Sequence, residues 1–203
     1  MTARVDRVVT EGQFCLDGGC WDVANNIWLV GDDSEVLIID AAHDAQPILD
    51  AVAGRRVTAI ICTHAHNDHV TVAPTLSAAT GAPIHLHPDD DVLWQQTHPG
   101  VEYQALSAGE VFEIARAELR VLHTPGHSPG SCCLHLPDNG VLFSGDTLFE
   151  GGPGATGRSY SDYPTILSSI ARLFVLPDET VVHTGHGPDT TLGAEHANVP
   201  AAP

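Results

Sequence analysis

Val57-Thr58-Ala59-Ile60-Ile61-Cys62-Thr63-His64-Ala65-His66-Asn67-Asp68-His69 is an apolar run that ends in three imidazoles and a carboxylate within six residues. The first part reads as a buried strand. The second part carries metal-ligand chemistry: His is the commonest ligand for zinc-like ions, and Asp adds a hard oxygen. A plain polar turn would leave three mutually repelling imidazoles side by side. A bound cation accounts for them better.

Outward from this run, strands and helices alternate. Asn25 to Val30 and Glu35 to Asp40 read as a hairpin around Gly31-Asp32-Asp33. Val36-Leu37-Ile38-Ile39 is apolar without alternation, the pattern of a strand buried on both faces. Helices are expected over Gln46 to Ala53, Val72 to Thr80 and Pro88 to Gln95, and a strand over Ala82 to Leu86. A second series follows, with strands over Glu110 to Ile114, Leu119 to Leu122, Ser131 to Leu136, Val141 to Ser144 and Thr180 to Val182. In Tyr163 to Phe174, Ile166, Leu167, Ile170, Leu173 and Phe174 form the apolar stripe of an amphipathic helix. The tail from Ala194 to Pro203 has little to bury besides Val199 and is expected to fray. Two strand-rich halves, about 1–105 and 106–193, imply sheets packed together and covered outside by helices, in a single α/β domain.

Composition narrows the function classes. The chain has 203 residues, a formal charge of −18 and no Lys. Such a surface repels nucleic acid and anionic membranes, so neither is an expected partner. No apolar run is long enough to span a bilayer, and no apolar segment follows Met1-Thr2-Ala3-Arg4 to make a signal peptide. A cytoplasmic location is expected, with all five cysteines as thiols. Cys15 and Cys20 flank the turn Asp17-Gly18-Gly19 and are the one pair placed to face each other.

Four segments carry candidate ligands: His64, His66, Asp68 and His69; His127 in Thr124-Pro125-Gly126-His127-Ser128-Pro129-Gly130; Asp146 in Phe143-Ser144-Gly145-Asp146-Thr147; and His186 in Thr184-Gly185-His186-Gly187-Pro188. Each follows an apolar strand, and strand ends can converge on one edge of a sheet sandwich. Five imidazoles and two carboxylates are enough donors for two divalent ions, zinc first, with iron or manganese also compatible. Paired cations lower the pKa of a shared water and generate hydroxide near neutral pH. The remaining histidines are expected to be non-ligands, with His123 and His183 near enough to orient ligand rings, and Asp40 at a strand end as a carboxylate in need of partners.

These four segments, in this order, resemble the metallo-β-lactamase superfamily over nearly the whole chain. The resemblance implies a four-layer αβ/βα sandwich with a two-metal site at one edge. It implies that His64, His66 and His127 hold one ion, that Asp68, His69 and His186 hold the other, and that Asp146 bridges them. The true β-lactamases have no bridging carboxylate at that point, which disfavours antibiotic hydrolysis. Ser144-Gly145-Asp146-Thr147-Leu148-Phe149 with Gly151-Gly152 is similar to the glyoxalase II group of thioesterases. His183 to Gly193 resembles small bacterial hydrolases of that group, with Thr184 where they carry Pro.

The expected reaction is thioester hydrolysis by a metal-bridging hydroxide, with Asp68 orienting the attack. A thiolate leaving group has a pKa of about 8.5 and needs little acid assistance. No Ser or Cys nucleophile is required by this chemistry. In Gly152-Pro153-Gly154-Ala155-Thr156-Gly157-Arg158-Ser159-Tyr160, Arg158 is the expected anchor for a substrate carboxylate and Tyr160 a pocket residue. The chain ends soon after His186, so the carrier-gripping helical region of glyoxalase II proper is not expected. Competing readings are an Fe(II) persulfide dioxygenase using His64, His127 and Asp146, a lactone hydrolase, and a non-catalytic binding module, which would have broken ligands.

Overall fold

A computed structural model describes residues 3–202. Two six-stranded sheets face each other, and their order follows the chain closely. The first contains β1 (Arg4–Leu16), β2 (Gly19–Gly31), β3 (Glu35–Ile39), β4 (Arg56–Ile61), β5 (Ile84–Leu86) and β6 (Gln104–Ala105) in that order. Its helices are α1 (Ala45–Val52), α2 (Asn67–Val70), α3 (Ala73–Thr80) and α4 (Asp91–Thr97). The second sheet starts with β7 (Val111–Ile114), β8 (Ala117–His123), β9 (Cys132–Leu136) and β10 (Val141–Gly145). After the small ribbon β11 (Leu148–Phe149) and β12 (Gly152–Pro153) comes α5 (Tyr163–Leu173). Then β13 (Val181–Thr184) and β14 (Thr190–Thr191) add to β10, and α6 (Leu192–Glu195) follows.

The layers follow from side-chain alternation. In β3, Val36 and Ile38 pack under the helices of the first half, while Leu37 and Ile39 face the second sheet. β2 does the same, with Ile27 and Leu29 on one side and Trp28 and Val30 on the other. The second sheet sends Leu134 and Phe143 inward and Cys133 and Leu142 outward, where Ile166, Ile170 and Leu173 of α5 cover them. The result is the expected four-layer αβ/βα sandwich, with apolar runs marking the strands buried on both faces. Among the described residues, no helix is long and apolar enough to cross a membrane.

Three expectations need correction. Cys15 and Cys20 are not thiols but a disulfide. They are direct partners in the β1–β2 register, with Cα atoms 4.2 Å apart, so the hairpin itself brings them together. Pro88 to Gln95 is not one helix: a 3₁₀ turn over Pro88–Asp90 precedes α4. The start of the tail is anchored rather than frayed. Leu192 is buried, Val199 packs on the α5 core, and buried Glu195 accepts bonds from the Gly151 N–H (3.0 Å), the Thr190 hydroxyl (2.6 Å) and the Asn198 amide (2.9 Å). Gly151 comes from a distant loop, which local composition cannot reveal. Met1, Thr2 and Pro203, at the ends of the expected leaderless start and loose tail, lie outside the described residues.

Phe143 is fully buried between the sheets, beside Trp28 at a ring separation of 5.9 Å. Phe143→Ala is expected to cost about 3–5 kcal/mol in denaturant unfolding, through lost burial and the cavity left behind. A loss below about 1 kcal/mol would mean that this contact does not hold the sheets together.

Candidate metal centre

The edge of the sandwich where β4, β8, β10 and β13 end gathers the chemistry. β4 runs parallel to β3, and β10 runs parallel to β13. Antiparallel steps from β10 to β9 and from β9 to β8 point β8 the same way as β10. The two sheets are tied at this edge by main-chain bonds from the Cys132 N–H to the Thr63 carbonyl (2.8 Å) and from the Asn26 N–H to the Gly185 carbonyl (2.8 Å). Asn26 adds side-chain bonds to the carbonyls of Thr184 and Gly187, both 3.0 Å, shaping the loop that carries His186.

All seven expected ligands meet there. His64, His66 and His127 form one cluster, and Asp68, His69 and His186 another. In the first, His66 Nδ1 lies 3.1 Å from His64 Nε2 and 3.0 Å from His127 Nε2. Nitrogens at two corners of a tetrahedral zinc site would stand about 3.3 Å apart. In the second, His186 Nε2 lies 3.1 Å from His69 Nε2 and 3.3 Å from Asp68 Oδ2. Asp146 spans the two: Oδ1 is 3.3 Å from His69 Nε2, and Oδ2 is 3.5 Å from His127 Nε2 and 3.4 Å from His186 Nε2. Gly185 passes so close that a Cβ there would stand 2.3 Å from Asp146 Oδ1, so a side chain would displace the Asp146 carboxylate.

The far ring nitrogens fix the tautomers. His69 Nδ1 donates to Asp40 Oδ2 (2.9 Å), His127 Nδ1 to the Ala155 carbonyl (2.8 Å) and His186 Nδ1 to the Ala24 carbonyl (2.8 Å). Each Nε2 thereby faces the centre, and offers a lone pair there once any proton on it is displaced. Asp40, in the left-handed region at φ +64°, also accepts from the N–H (2.8 Å) and hydroxyl (3.0 Å) of Thr63. It bonds the His69 ring and stands outside the clusters of candidate ligands. His123 and His183 touch no ligand ring: the first stacks on His87 and the second on Trp28. His87, Asp89 and His123 also cluster, but the two rings lie parallel at 3.9 Å and so do not point at a common ion.

Two observations argue that the cluster suits cations. Asp68 Oδ1 and Asp146 Oδ1 are buried without a hydrogen-bond partner. The charges of the bare chain are also balanced only by protons. Burial opposes charge on His186, yet Asp146 and Asp68 prevail and raise it to about 10; His69 is likewise raised, against burial, by Asp146, Asp68 and Asp40. Burial alone would raise Asp68, but His69 and His186 bring it down to about 2. In the first cluster burial and neighbouring imidazoles lower His64 and His66 and keep them neutral, with His66 at about 3.

Sequence reading missed three contributors. Asp90 is fully buried and accepts from the Ala65 N–H (2.8 Å) and the Ser128 hydroxyl (2.7 Å), stapling the His64–His66 segment to the His127 loop. It stands in the run Asp89-Asp90-Asp91, which reads as a solvated helix start. Phe14 and Trp21 from the β1–β2 hairpin wall a cavity of about 230 Å³ over the centre, which His66, Asp68, His127, Asp146 and Arg158 also line. The hairpin tip is pinned on one side by the Cys15 N–H to Asn67 Oδ1 (2.7 Å) and on the other by the Ser159 N–H to Asp17 Oδ2 (3.0 Å). Arg158 lies over Trp21, its guanidinium carbon 3.7 Å from the ring centroid. Tyr160 is 45% exposed and does not line the cavity.

The comparisons with known proteins agree with this geometry. The sequence profile of the metallo-beta-lactamase superfamily matches residues 20–186. The chain belongs to the metallo-β-lactamase superfamily, and its His and Asp cluster is that of a metallo-hydrolase. It is 33% identical to the probable metallo-hydrolase YqgX of Bacillus subtilis, over 87% of this chain and 91% of that one. It is 35% identical to a hydroxyacylglutathione hydrolase of Rhizobium meliloti, over 81% of this chain but only 61% of that protein. The crystal structure of TTHA1623 in a di-iron-bound form matches with a TM-score of 0.80 and 34% identity, over 88% of this chain and 95% of that one. The BLEG-1 B3 metallo-beta-lactamase structure matches at 0.77 and 29%, over 94% and 98%.

Cation binding is expected to displace the protons on His69 and His186. Zinc titrated calorimetrically into metal-free protein at pH 7, in buffers of different ionisation enthalpy, should release about two protons, both with the cluster containing Asp68. That equivalent should weaken as pH falls. Release confined to the first cluster would contradict the charge assignment.

Proposed function

We propose that the chain is a two-cation hydrolase that cleaves a small thioester. The observation that carries this reading is the place of Asp146, between two complete ligand clusters, under a cavity walled by aromatic rings and a guanidinium. His64, His66 and His127 would hold one cation and Asp68, His69 and His186 the other, with Asp146 between; zinc suits the donors, as do iron and manganese. Bound there, the pair supplies an acidified water and a Lewis acid for the substrate carbonyl.

The chain's own groups do the remaining work. Asp68 lines the cavity, and its unpartnered Oδ1 is placed to accept a hydrogen bond from the attacking water and orient it. Phe14, Trp21 and Val23 exclude bulk water and receive the apolar part of the substrate. Arg158, flattened on Trp21, presents its N–H edges to a carboxylate at the far end of the thiol carrier. The thiolate departs without a dedicated acid. Likeness to a hydroxyacylglutathione hydrolase supports the thioester class. Since the match spans 61% of that relative, the carrier need not be glutathione.

The decisive experiment is metal content of the purified protein together with a substrate panel of thioesters, lactones and a β-lactam. Two zinc equivalents with preferred thioester turnover are expected. One iron with oxygen consumption on a persulfide, or faster lactone or β-lactam opening, would overturn the proposal. Arg158→Ala should raise KM about tenfold on a carboxylate-bearing thioester and leave kcat nearly unchanged. An unchanged KM across the panel would remove Arg158 from substrate binding.

A further inference from the structure

The two oxygens of Asp68 have different surroundings. Oδ2 lies 3.3 Å from His186 Nε2 and 3.7 Å from His69 Nε2, and it accepts a hydrogen bond from Asn25 Nδ2 at 3.1 Å. Oδ1 is buried and has no partner. A carboxylate only accepts, so the Asn25 amide must turn its nitrogen toward Asp68. Its oxygen then points the opposite way, 2.7 Å from His43 Nε2. That oxygen also only accepts, so His43 donates from Nε2. The relay has one consistent direction, from His43 through Asn25 to Asp68.

The relay is held in place at each end. Asn25 is fully buried on β2. His43 sits after β3 in the left-handed region, at φ +56°, a conformation a non-glycine residue adopts at a cost. Its ring lies on the backbone of Gly12 in β1, where a Cβ would stand 2.2 Å from Nδ1. Three segments far from the ligand motif therefore converge on one carboxylate.

We propose that Asn25 and His43 are a positioning pair for Asp68. Asn25 locks the carboxylate with Oδ2 on the second ligand cluster and Oδ1 without a protein partner, and His43 locks Asn25. This rests on the two-cation reading above. Neither residue faces the first cluster, so the pair acts on one cation and not the other.

The test compares Asn25→Ala, His43→Ala and His43→Gln, with zinc(II) as the probe in competition with a chromophoric chelator and thermal melting as a control for folding. The unsubstituted chain should bind two equivalents. Asn25→Ala should weaken the second by about 10–100-fold, the usual effect of losing a ligand's own hydrogen-bond partner, and leave the first unchanged. His43→Ala should weaken it less, and His43→Gln, which keeps an N–H donor, should restore it. In Asn25→Ala, kcat should fall with KM little changed. Unaltered second-equivalent affinity in Asn25→Ala, or no difference between His43→Gln and His43→Ala, would overturn the pair's role. If Asn25→Ala does not fold, the two His43 variants decide the matter. A single equivalent in the unsubstituted chain would instead overturn the two-cation reading itself.

Discussion

The fold is organised around a concentration of charge that water does not relieve. Five imidazoles and the carboxylates of Asp40, Asp68 and Asp146 crowd into one edge of the sandwich, nearly all of them buried. Uncompensated, such groups would cost several kcal/mol each. The bare chain meets this by pairing protonated His69 and His186 with Asp68 and Asp146, an arrangement that two cations would replace with far stronger compensation. The rest of the site serves that exchange: Asp40, Ala155 and Ala24 take up the outward ring N–H groups, and glycine at 185 leaves room for Asp146.

Rigidity around this charge comes from the apolar layers beneath it. The ligands stand on turns, but every turn leaves a strand whose side chains interlock with a neighbouring layer. The substrate side is built differently. Phe14 and Trp21 come from a protruding hairpin, and Arg158 and Ser161 from a long loop, so the cavity wall is free to vary while the ligand set is not. This division fits a superfamily in which one kind of metal site supports several reactions.

Much of the architecture was legible in the sequence because its signals are local. Continuous apolar runs such as Val36 to Ile39 announce strands covered on both faces, and the His64 to His69 motif packs four candidate ligands into one short segment. His127, Asp146 and His186, which the fold brings to the same edge, stood out because each follows an apolar strand beside glycine. Asp90, Asn25 and His43 were not, because nothing beside them in the chain hints at their partners: Asp90 reaches Ser128, and Asn25 reaches Asp68 across the fold. The Cys15–Cys20 bond depends on exact register, which a one-residue slip would have abolished. Tyr160 was judged by its neighbours in sequence, yet its backbone turns it outward.

The ligands are shared unequally between the two sheets. Each cluster takes two residues from the first half of the chain and one from the second, and Asp146 also comes from the second. An ion in either cluster is therefore a rivet through both leaves of the sandwich, closing chain loops of tens of residues much as a covalent cross-link would. Ion binding would then add to the stability of the folded sandwich, by an amount set by the free metal in the surroundings. Neither leaf alone holds all three residues of a cluster, so removing bound ions would take away a cross-connection between the leaves along with the chemistry.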